Sequence, residues 1–120
     1  MISPKPKPNA TYQEEAGLYR TLNHPVRLAI LDILRDGEQC VCHIEAILAL
    51  RQAYISQHLM VLREAGLVED RRDGWNIFYR VRQPNIYRVM DAMRIFSGRP
   101  KREIPHVHGS NDCPCPKCNN

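Results

Sequence analysis

The sequence lacks an apolar run that could cross a membrane, since no stretch approaches the ~18 residues that such a span needs. Its first ten residues, MISPKPKPNA, carry lysines with no apolar segment behind them, so we do not expect a secretory signal. Charge is also limited: the net charge of +4 permits binding to nucleic acid without requiring it. The chain has 120 residues, of which 43% are hydrophobic, and this length and composition predict one globular domain. Because neither a membrane span nor a secretory signal is expected, we expect the protein in the cytoplasm.

Cysteine is the residue whose count and placement are informative. Two of the five cysteines, Cys40 and Cys42, lie in the body of the chain, and the other three fall in its last eight residues. Because no secretory signal is expected, the compartment is predicted to be reducing. Clustered thiols in such a compartment favour metal or redox chemistry over disulfides.

Proline marks the expected domain boundaries, because it lacks an amide donor and interrupts regular structure. Of the nine prolines, three lie in the first eight residues and four follow Ser97. We therefore expect an N-terminal arm over 1–10, a folded domain over 11–97 and a Pro/Cys-rich tail over 98–120. A core of that size is marginal alone, which favours oligomerisation.

Helical spacing of apolar residues dominates the first half of the domain. The first helix is predicted to begin with Thr11 as its cap. The second is predicted to have Asn23 as its N-cap and Pro25 in its first turn, and to stop at Gly37.

Two further helices are predicted over 40–49 and 52–65. The segments 67–71 and 75–81 are β-prone and flank an Asp-Gly pair, which is a strong hairpin signal. A last helix follows Pro84. The order α-α-α-α-β-β-α predicts a mainly α (α+β) fold, a winged helix-turn-helix.

Three segments carry a resemblance to a known family: LALRQAYISQHLMVLREAGLV at 48–68, the hairpin EDRRDGWNIFYRV, and EQCVCHI at 38–44. They resemble the ArsR/SmtB family of metal-sensing repressors, and the resemblance extends over about Tyr12 to Phe96. It implies a transcriptional repressor, not an enzyme, that dimerises through its first and last helices and binds double-stranded operator DNA. It also implies that the helix from Gln52 enters the major groove and that the hairpin lies along the flanking backbone.

The resemblance assigns DNA contacts to residues of the recognition helix and the hairpin. Glutamine suits adenine edges, whereas arginine, serine and tyrosine suit phosphates or bases. The alternative is that the polar helix positions form an ordinary solvated face. The residues implied are Arg51, Gln52, Ala53, Tyr54, Ser56 and Gln57 on the helix, and Arg71, Arg72 and Arg80 on the hairpin.

Other side chains in this region have simpler interpretations. His58 is expected to pack or to form hydrogen bonds rather than to bind an ion. Trp75, Phe78 and Tyr79 are expected to pack within the wing and the core. From Arg51 to Arg82 six arginines stand against four acidic residues, a net of +2, so DNA affinity is expected to need a dimer.

The Cys40-Val41-Cys42 triplet resembles the Cys-Val-Cys box of the arsenic-, cadmium- and lead-responsive members of the family. In a regular helix, side chains two residues apart point about 200° apart and cannot share a small ion. If Cys40 lies in an extended segment before the helix, both sulfurs can converge. The helix N-terminus also favours the thiolate, which binds soft ions. The alternative is two small, buried apolar cysteines.

Two thiolates rarely complete a soft-ion site, so the remaining ligands are expected from the tail of the same or the other subunit. The alternatives are that the tail binds an ion by itself or serves as a disordered metal scavenger. The candidates are Cys113, Cys115 and Cys118, and with less support His106 and His108. A zinc site on the last helix is not expected, because Met93 stands where the family has a histidine after Asp91.

The expected function is a repressor whose ion-free dimer binds operator DNA and is released when an ion binds the thiolates. The inducer is As(III) or Sb(III), or alternatively Cd(II), Pb(II) or Zn(II), and no organic cofactor is expected. The alternative from a second class is a repressor that senses thiol oxidation or sulfur species through the same cysteines. A thiol enzyme that pairs Cys42 with His43 is not expected, because adjacent residues do not form a base–nucleophile geometry.

Overall fold

The computed structural model describes residues 8–99. Five helices and three strands follow one another along the chain. They are α1 (Pro8–Leu22), α2 (Pro25–Leu34), β1 (Gln39–Cys40), α3 (Val41–Leu48), α4 (Gln52–Glu64), β2 (Val68–Asp73), β3 (Asn76–Val81) and α5 (Ile86–Ser97).

The strands form an antiparallel sheet in the order β1-β3-β2. The hairpin of β2 and β3 is the wing, and β1 pairs with the other side of β3. In this register Cys40 lies opposite Phe78, and Gln39 lies opposite Tyr79. The segment that leads into α3 is thereby attached to the wing.

The core lies where α2, α3 and α4 meet the sheet, and α5 adds one buried side chain. Its members are apolar and packed in a single cluster, in which hydrophobic burial is the main stabilising term. They include Ile30, Leu31, Leu34, Ile44, Ile55, Leu59, Leu62, Val68, Tyr79 and Met90.

A charged cluster joins α2 to α5. Asp32 is only 4% exposed and accepts hydrogen bonds from Arg94 and Arg35. Arg35 also donates to both carboxylate oxygens of Asp91, at 2.9 and 2.8 Å. The buried carboxylate is therefore compensated by two guanidinium groups, as a buried charge requires.

The predicted winged helix-turn-helix fold and its order of helices and wing strands are confirmed. Three details differ. Helix α1 begins at Pro8 instead of Thr11, and α2 is capped by His24 instead of Asn23, because the His24 Nδ1 atom accepts the Val26 amide at 3.1 Å. The short strand β1 was not predicted. Among the described residues, no helix combines the length and the apolar character that a membrane span requires.

Candidate nucleic-acid interface and thiol site

Helix α4 has one buried and one exposed face. Ala49, in the left-handed conformation with φ 53°, ends α3, and α4 begins three residues later at Gln52. The inner face of α4 is buried against α2 and α3 and consists of Ile55, His58, Leu59 and Leu62. This packing fixes the direction of the opposite face.

The opposite face carries the side chains to which the family resemblance assigned DNA contacts. Arg51 occupies the N-cap position of α4 and is exposed. Along the exposed part of the first two turns lie Gln52, Ala53, Tyr54 and Gln57, with Ser56 half-buried beside them. The structure therefore brings these predicted residues together on one surface.

A cluster that the sequence did not predict anchors this surface. The His58 ring is buried, and its Nδ1 atom accepts a hydrogen bond from Nε of Arg27 at 3.2 Å. The ring lies 4.1 Å from that of His24 and 4.6 Å from that of Tyr54. Burial, together with the neighbouring His24 and Arg27, lowers the pKa of His58 from its ordinary value of 6.5.

The expected packing function of His58 is thus confirmed. The same cluster fixes the position of Tyr54, since the Tyr54 hydroxyl lies 3.4 Å from Nε2 of His24. The partners come from the start of α2, some 30 residues away, and no local pattern in the sequence indicates such a contact.

The three wing arginines do not form one cluster. Arg71 and Arg80 lie on one face of the hairpin, and Arg72 alternates to the other face, opposite Ile77. Arg71 donates to both carboxylate oxygens of Glu38, and Arg80 donates to Glu69 at 2.5 Å. Among residues 8–99, Arg72 makes no ion pair.

The wing tip is a two-residue loop. Asp73 pairs with Asn76 in the register, so Gly74 and Trp75 form the turn, and Gly74 adopts a positive φ of 61° that suits glycine. Phe78 and Tyr79 are buried as expected. The expectation that Trp75 packs within the wing or core is wrong, because its side chain is 102% exposed.

The thiol site lies at the junction of β1 and α3. Cys40 has extended dihedrals (φ −77°, ψ 157°) and is the N-cap of α3, where its Sγ atom accepts the amide of His43 at 3.2 Å. Cys42 follows in the first turn, and a disulfide joins the two residues. The extended conformation of Cys40 is what brings the sulfurs together, as the sequence analysis required for a shared site.

The site is in direct contact with the wing. Cys40 is fully buried and forms a small cluster with Phe78, against which the half-buried Cys42 packs. On the next strand, the guanidinium of Arg71 lies 4.7 Å from the centre of the Phe78 ring. A chain of contacts therefore runs from the sulfurs through β3 to an arginine of the wing.

The ligand set of an ion at this site is only partly defined by the structure. Within residues 8–99, no three His, Cys, Asp or Glu side chains are grouped closely enough to hold a metal ion. The expected tail ligands Cys113, Cys115, Cys118, His106 and His108 lie outside the described residues. Two sulfurs that converge at a helix N-terminus fit part of a thiophilic site, provided that the disulfide is first reduced.

The sequence of this chain matches a known protein family. The profile of "Bacterial regulatory protein, arsR family" matches residues 24–70. A biofilm growth-associated repressor from Agrobacterium fabrum is 39% identical over 84% of this chain and 86% of its own length. The arsenic resistance transcriptional regulator ArsR1 from Pseudomonas putida is 46% identical, over 56% of this chain and 51% of its own.

The fold is also shared with solved structures. The homodimeric winged helix-turn-helix DNA-binding domain of a possible ArsR-family regulator from Mycobacterium bovis aligns with a TM-score of 0.71 and 27% identity. The alignment covers 90% of this chain and 100% of that one. Members of the family are DNA-binding transcriptional regulators and not enzymes. The exposed recognition face, the wing and these matches lead to one conclusion: the chain belongs to the ArsR/SmtB family of winged helix-turn-helix transcriptional repressors.

Proposed function

We propose that this repressor is a homodimer whose affinity for operator DNA is controlled by the chemical state of Cys40 and Cys42. The observation that carries the proposal is the position of the two sulfurs. They converge at the start of α3, and Cys40 packs on Phe78 of the wing. We also propose a cytoplasmic location, because a repressor must share a compartment with its operator DNA.

The DNA interface in this proposal combines α4 and the wing. Gln52 and Gln57 are the base-reading residues, because a glutamine amide can both donate to and accept from an adenine edge. Arg51 and Arg72 bind phosphates. Arg71 and Arg80 first have to exchange their carboxylate partners for phosphates, and exposed ion pairs of this kind are weak enough to allow it.

The dimer interface is proposed on α1 and α5. These two helices carry a group of large apolar side chains that the single chain leaves exposed: Tyr12, Leu18, Tyr19, Val89, Met93, Ile95 and Phe96. A groove of about 580 Å³ runs between α1, α2 and α5 and is lined largely by apolar atoms. Apolar surface of this extent is typical of a protein interface.

The first candidate inducer is a thiophilic ion, As(III) or Sb(III), or alternatively Cd(II), Pb(II) or Zn(II). When bound, such an ion supplies a positive centre that prefers thiolate ligands. Cys40 and Cys42 provide two thiolates, with Cys113, Cys115 and Cys118 as the proposed source of the others. The α3 N-terminus stabilises the thiolates through its backbone amides, as the contact from His43 to Cys40 indicates.

The second candidate is thiol oxidation, and the disulfide between Cys40 and Cys42 favours it. With a hydroperoxide as oxidant, one thiolate attacks the peroxide oxygen and forms a sulfenic acid and an alcohol. The second thiol then displaces water, so that two thiols and ROOH give the disulfide, ROH and H2O. Disulfide and ion-bound forms exclude each other, since only thiolates bind the ion.

Fluorescence anisotropy of a labelled duplex distinguishes the candidates. The duplex is first selected by the wild-type protein from a randomised library. Reduced protein is then titrated onto it alone, with arsenite or cadmium under reductant, and with a hydroperoxide in the absence of metal. Release in the ion arm that a chelator or dithiol reverses supports ion sensing. Release only in the hydroperoxide arm supports oxidation, and release in neither arm contradicts the proposal.

A further inference from the structure

We propose that Trp75 is an aromatic DNA contact at the wing tip, which packs against the sugar and base edges of the minor groove that flanks the recognition site. The inference rests on the proposed DNA binding and adds a residue that the sequence analysis assigned to packing.

The geometry of the tip excludes an internal function for this side chain. The turn contains only Gly74 and Trp75, and Gly74 adopts the positive φ that a two-residue turn requires. A turn this short cannot fold back over the strands. The Trp75 side chain is 102% exposed, so it buries no apolar area in the single chain. Since buried area is what makes an aromatic residue stabilising, Trp75 contributes little to folding.

The surroundings favour a polyanion as the partner. Arg72, three residues before Trp75, is exposed and makes no ion pair within the described part of the chain. An apolar ring at the turn and an available guanidinium on the strand that leads to it match the two surfaces that duplex DNA presents together, apolar sugar and base edges beside phosphates. Apolar side chains that enter the minor groove are a known means by which proteins hold and bend DNA.

The tip is also continuous with the proposed interface. Three residues separate the end of α4 from strand β2, which contacts the helix, and the ion pair between Arg63 and Asp70 ties the end of the helix to the strand. When α4 lies in the major groove, the wing is thereby carried to the neighbouring backbone and its groove. Trp75 lies in the turn at the tip of the wing.

The test uses the fact that the chain contains a single tryptophan, so that tryptophan emission reports the wing tip alone. Acrylamide quenching of the full-length reduced protein is measured with and without the duplex selected from the randomised library. We expect DNA to protect Trp75 from the quencher. In anisotropy titrations, Trp75→Ala is expected to weaken binding about tenfold, because its apolar contact with the sugar and base edges is lost, while Trp75→Phe retains most of the affinity.

Three results separate this inference from the function on which it rests. If the wild-type protein does not bind the duplex at all, the proposed function fails. If it binds while quenching stays unchanged and Trp75→Ala binds equally well, only the inference fails. A change of sedimentation in Trp75→Ala, with DNA affinity intact, would assign the tip to a protein contact and also overturn it.

Discussion

Cys40 and Phe78 face each other across the β1–β3 ladder, and both side chains are buried in one small cluster. This places the first residue of the thiol pair one side chain away from the wing. We therefore expect a chemical change at the sulfur to shift β1 and, through the backbone hydrogen bonds and the packing of the ring, to shift β3.

Replacing Phe78 with alanine should destabilise the fold and remove the connection. Truncation of a buried phenylalanine costs about 3–5 kcal/mol of unfolding free energy, and urea denaturation measures the loss. Phe78→Leu keeps an apolar side chain and should fold, yet it should show a smaller difference in DNA affinity between reduced and inducer-treated protein. Ile77→Ala, on the opposite face of β3, is the matched control. An inducer response that is unchanged in Phe78→Leu would contradict transmission through the ring.

Salt dependence distinguishes the wing arginines. Arg72→Gln should reduce the slope of log K against log salt concentration by about 0.9 per subunit, because one phosphate contact is lost. Arg80→Gln should reduce it less, because Arg80 must leave Glu69 before it can bind a phosphate. Anisotropy titrations over a range of salt concentrations measure both slopes. Equal slopes for the two variants would show that the ion pair has no influence on DNA contact.

Stability should decrease as the pH falls below the ordinary histidine pKa of 6.5, because burial lowers the pKa of His58 in the folded state. In this range the unfolded chain takes up a proton more readily than the folded chain, so protonation favours unfolding. His58→Gln keeps an acceptor for Arg27 and does not titrate, so its urea midpoint should depend less on pH. Met60→Gln, at an exposed position of the same helix that carries no titratable group, should keep the wild-type dependence. A pH profile of His58→Gln identical to wild type would contradict this assignment.

The proposed dimer interface predicts the effect of a charge on α5. Phe96 is 86% exposed in the single chain, and Phe96→Asp should shift the protein towards monomer in sedimentation and lower its DNA affinity. Trp75→Ala changes another exposed aromatic residue, on the wing, and should sediment like wild type. Dimers that persist in Phe96→Asp would place the interface elsewhere.

Much of the fold could be predicted because local signals agree with the tertiary structure. Gly66 and the Asp-Gly turn predict the end of α4 and the wing, and the apolar spacing of Ile55, Leu59 and Leu62 predicts the buried face of α4. Strand β1 could not be predicted, since two residues carry no periodicity and depend on β3 for their partners.

The candidate site shows the same division. The converging sulfurs followed from the family resemblance and from simple helix geometry. The partners of the wing arginines did not, because Glu38 lies 33 residues from Arg71 in the sequence. His24 replaced Asn23 as the cap of α2 because its ring is also held by Tyr54 and His58, a tertiary contact that local preference does not contain.

The most direct test of the central claim is a DNA-binding titration with the Cys40→Ser/Cys42→Ser protein. A variant in which Cys113, Cys115 and Cys118 are replaced by serine keeps the pair and separates its contribution from that of the proposed tail ligands: it should still respond to the hydroperoxide and should respond more weakly to the ion. Each protein is titrated onto the selected duplex, reduced, with arsenite or cadmium, and separately with a hydroperoxide. The account predicts that the inducer lowers wild-type affinity about 5- to 150-fold and leaves the affinity of the double variant unchanged. Release of the double variant by the same inducer would contradict control through Cys40 and Cys42.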